Sequence, residues 1–316
     1  MRTSIALLFC LSFIYTNAQD VKLPVIDMQL NLYDEDHYLL NKDIYGLKSP
    51  ASSYEHYKKS MDMLLKHNII LGVVSNHSSA VNTWKKSDVN KKFMWGTGIF
   101  YPGDIDSTDF EQMIQNKTIT LLGDFPPVSH EYNIYHPGYA PYLALCEKYG
   151  VPVSMHLGDV PMKSLYNCSP DPRLSEANPG LLEKVLNEYP NLKIYLKHSD
   201  NSFPYYEDLL SVIAKHENLY ISLGAVLWNH PENKLYAREF VKSAKQLGAI
   251  DKVMFGSGQS FYPHSISFSM RTIDKMGFLT AREKQGIYYD NAAHFLGMDQ
   301  EELLGYIENL SPAKDR

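Results

Sequence analysis

Val25-Ile26-Asp27-Met28-Gln29-Leu30-Asn31 is a short apolar run whose far end carries Gln29 and Asn31 at alternate positions. A β-strand points successive side chains to opposite faces, so these two amides share one face at the strand tip. Runs of the same kind recur along the chain. With Pro24–Leu30 they are Ile69–Ser75, Phe93–Phe100, Ile119–Asp124, Val151–His156, Lys193–His198, Leu219–Leu223 and Lys252–Ser257. Each is rich in β-branched or aromatic residues and bounded by Gly, Pro, Asn or Asp. Helical patterns lie between them at Tyr54–His67, Tyr139–Tyr149, Gly180–Tyr189, Pro204–His216 and Lys234–Leu247, with further helical segments after Pro263. Eight strand–helix units in about 300 residues predict a (β/α)₈ TIM barrel. A doubly wound sheet would need a glycine-rich phosphate turn after its first strand, and Gln29–Asp34 is not one.

The chain has 316 residues, of which 44% are apolar and 21% charged, enough for one large core. Formal net charge is −6, and no basic stripe is present, so nucleic acid is not an expected partner. Residues 1–18 read as a secretory signal peptide: Arg2 gives a positive start, Ile5–Tyr15 an apolar stretch too short to span a bilayer, and Thr16-Asn17-Ala18 a small-residue cleavage site. The expected mature protein is periplasmic or secreted, with no membrane association after the signal is removed. No repeat or low-complexity linker divides residues 19–316, which read as a single barrel domain. Cys146 falls in a helical pattern and reads as buried; whether it pairs with Cys168 is open, because sequence does not supply the Cα separation.

Barrel chemistry gathers at the carboxyl ends of the strands. Gln29 and Asn31 end strand one, Asp124 strand four, His156 strand five, His198 strand six and Gly258 strand eight. Two histidines at matching positions of adjacent strands favour a shared pocket over two separate structural roles. His130, His136, His230 and His264 read as surface histidines, and Asp27 as a residue that holds the first loop. Trp228, Phe261 and Tyr262 follow the last two strands and suit either a cleft lining or ordinary packing.

Taken together, Ile26–Asn31, Pro152-Val-x-x-His156, His198-x5-Pro204, Phe255-Gly-Ser-x-Gln259 and Asn291-Ala-Ala-x-Phe-Leu296 resemble the amidohydrolase superfamily. The resemblance is to its amidohydrolase-related branch, which includes decarboxylases of the aminocarboxymuconate-semialdehyde type, and it covers nearly all of residues 23–298. It implies a metal-dependent hydrolase fold with a strand-one His pair at Gln29 and Asn31. It further implies a metal His at His156, a metal- or substrate-directed His at His198, an acid near Asp124, and a proton-handling aspartate at Gly258. Amides replace both strand-one imidazoles here, and glycine replaces the aspartate. Amide oxygens are poor ligands for zinc or iron beside imidazole, and catalytic zinc usually has three strong protein ligands.

The sequence therefore predicts a degenerate metal centre, with Gln29, Asn31, His156 and Gly258 as vestigial positions and no cofactor. His198, His156 and Asp124 are the expected catalytic groups; Gln29, Asn31, Trp228 and Gln259 are expected to contact a small-molecule ligand. The alternative is an active hydrolase or decarboxylase holding a weakly bound divalent zinc, iron or manganese through unorthodox ligands. A homodimer is left open, and the ligand's identity rests on loop shapes that sequence does not give. Restoring Gln29→His, Asn31→His and Gly258→Asp together is expected to complete a site that His156 begins.

Overall fold

A computed structural model describes residues 23–308 except 40–42, 45, 76–79, 90, 100–101, 126–133, 158–181 and 199–205. The signal-peptide segment, His130 and Cys168 lie outside the described residues. Eight parallel strands follow one another around a barrel: β1 Val25–Leu30, β2 Ile69–Val74, β3 Phe93–Thr97, β4 Leu121–Phe125, β5 Val153–Leu157, β6 Ile194–His198, β7 Leu219–Ser222 and β8 Val253–Met254. Helices alternate with them: α1 Ser53–Lys66, α2 Ala80–Ser87, α3 Ser107–Gln115, α4 Ala140–Tyr149, α5 Leu182–Glu188, α6 Tyr206–Lys215, α7 Pro231–Gln246 and α8 Ser265–Asp274. The predicted barrel is thus the observed one. Among the described residues, no helix is long and apolar enough to cross a membrane.

Local chemistry sets several boundaries. The Ser52 hydroxyl caps α1 by accepting from the Glu55 amide at 3.2 Å, and Asp106 caps α3 through the Thr108 amide at 2.8 Å. Gly150 ends α4 at φ +66°, the left-handed turn that glycine adopts without steric cost. Cys146 on α4 is buried with a free thiol, which burial pushes well above its ordinary pKa.

The sheet closes where β1 meets the segment after β8. The Met28 amide donates to the Phe255 carbonyl at 3.0 Å, and the Gly258 amide to the Gln29 carbonyl at 3.0 Å. Ile26, Met28, Val73, Leu121, Tyr195 and Met254 pack together inside the barrel. Beyond α8, α9 Ala281–Gln285 runs through a π-turn at Gly286–Asp290 into α10 Asn291–Leu296, and α11 Gln300–Glu308 follows. The closing sequence motif now has a physical meaning. Asn291 donates its side-chain amide to the Ile250 and Val253 carbonyls, at 3.0 and 2.7 Å, where β8 begins. Phe295 on α10 plugs the amino-terminal end of the barrel, its ring 5.6 Å from Tyr195 and 5.0 Å from Tyr220.

Candidate active site

At the carboxyl face, the side of the mouth above β7, β8 and β1 is closely packed. Asp27 is completely buried; its Oδ1 accepts from the Ser257 amide at 2.8 Å and the Gln29 amide at 3.1 Å. It therefore holds the first loop, as expected, and also ties β1 to the segment after β8. Burial pushes its carboxyl up to about 6, against the opposing pull of the Ser257 hydroxyl and amide and the Gln29 amide. Its Oδ2 has no hydrogen-bond partner among the described residues.

Gln29 is buried, and its Oε1 lies 3.5 Å from the Ser222 hydroxyl. Glycines make room for this amide. A Cβ on Gly224 would sit 2.5 Å from Gln29 Oε1, and one on Gly256 would sit 2.9 Å from Gln29 Cβ and 2.0 Å from Ser222 Oγ. Gly258 has φ +53°, and a Cβ there would come within 2.4 Å of the Ala225 amide nitrogen. Backbone cannot yield as a flexible side chain can, so position 258 admits no side chain without displacing the turn at Gly224–Leu227. An aspartate at 258 would therefore meet both a lack of space and a left-handed backbone. Asn31 is buried, and its Oδ1 has no hydrogen-bond partner among the described residues.

Gln259 points towards α1 and is fully buried; its Oε1 accepts from His56 Nε2 and from the Ser60 hydroxyl, each at 3.2 Å. Burial holds the His56 imidazole neutral, with a pKa lowered to about 4. Because Nε2 carries the proton donated to Gln259, Nδ1 accepts from the Tyr38 hydroxyl at 2.7 Å. His56 and Ser60 were not singled out by the sequence; a buried His–Gln contact 203 residues apart leaves no local signal. The Trp228 indole donates to the Ser257 carbonyl at 3.0 Å. Above it Tyr33 stacks on Phe261 at 3.7 Å, and Trp228 meets Tyr262 edge-on at 5.8 Å. These aromatic side chains form one buried cluster with Tyr38 and Leu47.

Across the barrel, β5 and β6 run in register, His156 opposite Lys197 and Leu157 opposite His198. The two candidate histidines therefore stand on neighbouring strands at the same end. Asp124 lies on β4 within a register irregularity between Leu122 and Phe125. The side chains of Asp124, His156 and His198 lie outside what is described. The glycine of β4 admits close packing with β5: a Cβ on Gly123 would sit 1.9 Å from the Ser154 hydroxyl.

Lys197 is a further lumen residue. Ile194 and Leu196 pack in the core that includes the helix faces, whereas Tyr195 enters the barrel and donates to the Met28 carbonyl at 3.2 Å. Strand alternation gives Lys197 the same side as Tyr195, and it is completely buried. Its strand neighbour Ser222 is the residue whose hydroxyl approaches Gln29. His136, by contrast, caps a short 3₁₀ turn through the Gly138 amide.

A family model described as amidohydrolase matches residues 122–298, more than half of the chain. The protein belongs to the amidohydrolase family. Among solved structures it is similar to an uncharacterized TIM-barrel protein from Bordetella bronchiseptica, at 20% identity and TM-score 0.63, covering 87% of this chain and 99% of that one. It is also similar to a probable 2-pyrone-4,6-dicarboxylic acid hydrolase from Acinetobacter baumannii, crystallised with citric acid, at 14% identity and TM-score 0.60, covering 86% and 99%. A 2,6-dihydroxybenzoate decarboxylase from Rhizobium gives 14% identity and TM-score 0.58 over 87% and 99%. At these identities the likeness is one of fold. No curated protein matches the sequence.

Proposed function

We propose that this is an exported amidohydrolase-family barrel in which packed protein has replaced part of the metal centre, and which binds a small molecule in the remaining part of the mouth. His156, registered opposite the lumen residue Lys197, is the group proposed to move a proton there, assisted by Asp124, since imidazole exchanges protons near neutral pH; His198, one position past Lys197, is proposed to join it from the tip of β6, where strand alternation ends. Lys197 supplies a buried amine on the same side of the lumen. The observation that carries this reading is Gly258, whose left-handed backbone lies against Ala225 where a carboxylate ligand would have to stand. The donor set fits a catalytic divalent metal poorly: two amides at Gln29 and Asn31, nothing at 258, and Gln29 already engaged with Ser222. The probable hydrolase and the decarboxylase among the structural neighbours support a small organic acid as the ligand class.

Elemental analysis of protein purified without added metal tests the reading. Zinc, iron and manganese together are expected well below one equivalent per chain. A stoichiometric metal would overturn the proposal in favour of a metal-dependent hydrolase or decarboxylase with unorthodox ligands. The export component rests on residues 1–18, and mass spectrometry of the native protein should find a mature amino terminus near Gln19; a retained Met1 would refute it.

A further inference from the structure

On the outer wall of the barrel, α7 and α8 enclose a groove of about 340 Å³. Lys234 and Arg238 enter it from α7, Arg271 from α8 and Lys275 from the residue that caps the end of α8, while Phe268 and Met276 supply its apolar lining. Each pair is spaced i, i+4, so its two side chains leave one helix face with Cβ atoms about 6 Å apart. Like charges at this spacing oppose each other, and here the two pairs also share a single concavity. No acidic residue lines it. Arg238 has Glu239 at 3.9 Å, and among the described residues Lys234, Arg271 and Lys275 form no ion pair. The Asp274 carboxylate, next to Lys275 in sequence, is taken by the Tyr288 hydroxyl at 2.9 Å. The Arg271 guanidinium is held against the Phe268 ring, 4.5 Å from its centroid. Four cations thus share one concavity, three of them without an ion pair among the described residues, in a chain whose formal charge is −6.

We infer that the α7–α8 groove is a binding site for a small organic dianion, its charged group held by Arg238 and Arg271 and its apolar body set against Phe268 and Met276. Guanidinium forks suit phosphate or paired carboxylate oxygens, and the two lysines add charge without fixed geometry. This site is separate from the barrel mouth and does not depend on what the mouth binds.

Phenyl phosphate, inorganic phosphate and phenol, titrated into the full protein by calorimetry, test the inference. Phenyl phosphate is expected to bind saturably at one per chain, several-fold more tightly than inorganic phosphate because of the apolar lining. Phenol is expected not to bind. The double variant Arg238→Gln/Arg271→Gln should weaken phenyl phosphate about tenfold or more, as loss of charge-assisted hydrogen bonds predicts. If that variant does not fold, Lys234→Gln/Lys275→Gln is read instead and should weaken binding in the same direction. Absence of saturable binding, or binding that both variants leave unchanged, would overturn the inference; the second outcome would place the ligand elsewhere.

Discussion

Asp27 and His56 are both completely buried, and they bias stability in opposite directions over the same pH range. Asp27 has an ordinary value of 3.8 raised to about 6, so the folded state binds the extra proton between those limits. Its contribution is present below 3.8 and is lost as pH rises through about 6. His56 falls from 6.5 to about 4, so its contribution is present above 6.5 and is lost as pH falls through about 4. Each displacement corresponds to about 3 kcal/mol, so the two slopes nearly cancel between them. Asp27→Asn should leave the His56 slope exposed, with stability rising from pH 4.5 to 6.5. His56→Gln should reverse the sign, with stability falling over that interval. Urea denaturation at the two pH values reads both, and parallel profiles for the two variants would refute the assignment.

Lys197 shows what residue-level reading of the sequence missed. His198 stands out as a family motif residue, whereas Lys197 emerges only once Tyr195, two positions before it, is seen to reach into the barrel and donate to the Met28 carbonyl. Alternation in Ile194–His198 groups Lys197 with Tyr195 but does not by itself say which face is the lumen. No such reading could have found the His56–Gln259–Ser60 contacts, which depend on how α1 packs against the segment after β8.

At the scale of elements, the turn Gly224–Leu227 after β7 decides what the mouth can hold. It occupies the space beside Gly258 and closes over Gln29. The eight strands were legible because each is a self-contained apolar run between turn residues. The turn was not: its consequence lies in a contact between two loops 34 positions apart, Gly224 and Gly258, where neither residue has a side chain to signal it. Glycine at 258 reads in sequence as a lost ligand, whereas in the fold it is a packing requirement. Gly258→Asp should therefore cost about 3 kcal/mol, from left-handed backbone strain and overpacking together, and should gain no metal. Urea denaturation and elemental analysis of the single variant check both parts. An unchanged midpoint would show that the turn moves aside freely. The α1 helix provides a smaller test: Ser52→Ala removes the cap on Glu55 and should cost about 1 kcal/mol.

For the molecule as a whole, the seam between β1 and β8 is the least regular part of the barrel. β8 pairs with β7 through only Val253 and Met254, and the segment after it meets β1 through two backbone bonds that flank the Asp27 contact. Asp27 adds the bond from Ser257 and fixes the local chain through Gln29, so one carboxylate oxygen satisfies two buried amides. Removing that oxygen strands both donors, and each unsatisfied buried amide costs about 1–3 kcal/mol. Asp27→Ala should then destabilise the protein by several kcal/mol, by about 2–5, while Asp27→Asn keeps an acceptor at the same place and should cost much less at pH 7. Because the barrel is one sheet closed on itself, the loss at the seam should be felt everywhere that the sheet opens cooperatively. Hydrogen exchange offers the finer reading. In Asp27→Ala the amides of Met28, Ser257 and Gly258 should exchange faster than those of β5 and β6, since the seam opens before the Val153–Leu157 ladder does. Equal acceleration across all strands would show that the seam has no separate opening and that Asp27 supports only the global fold.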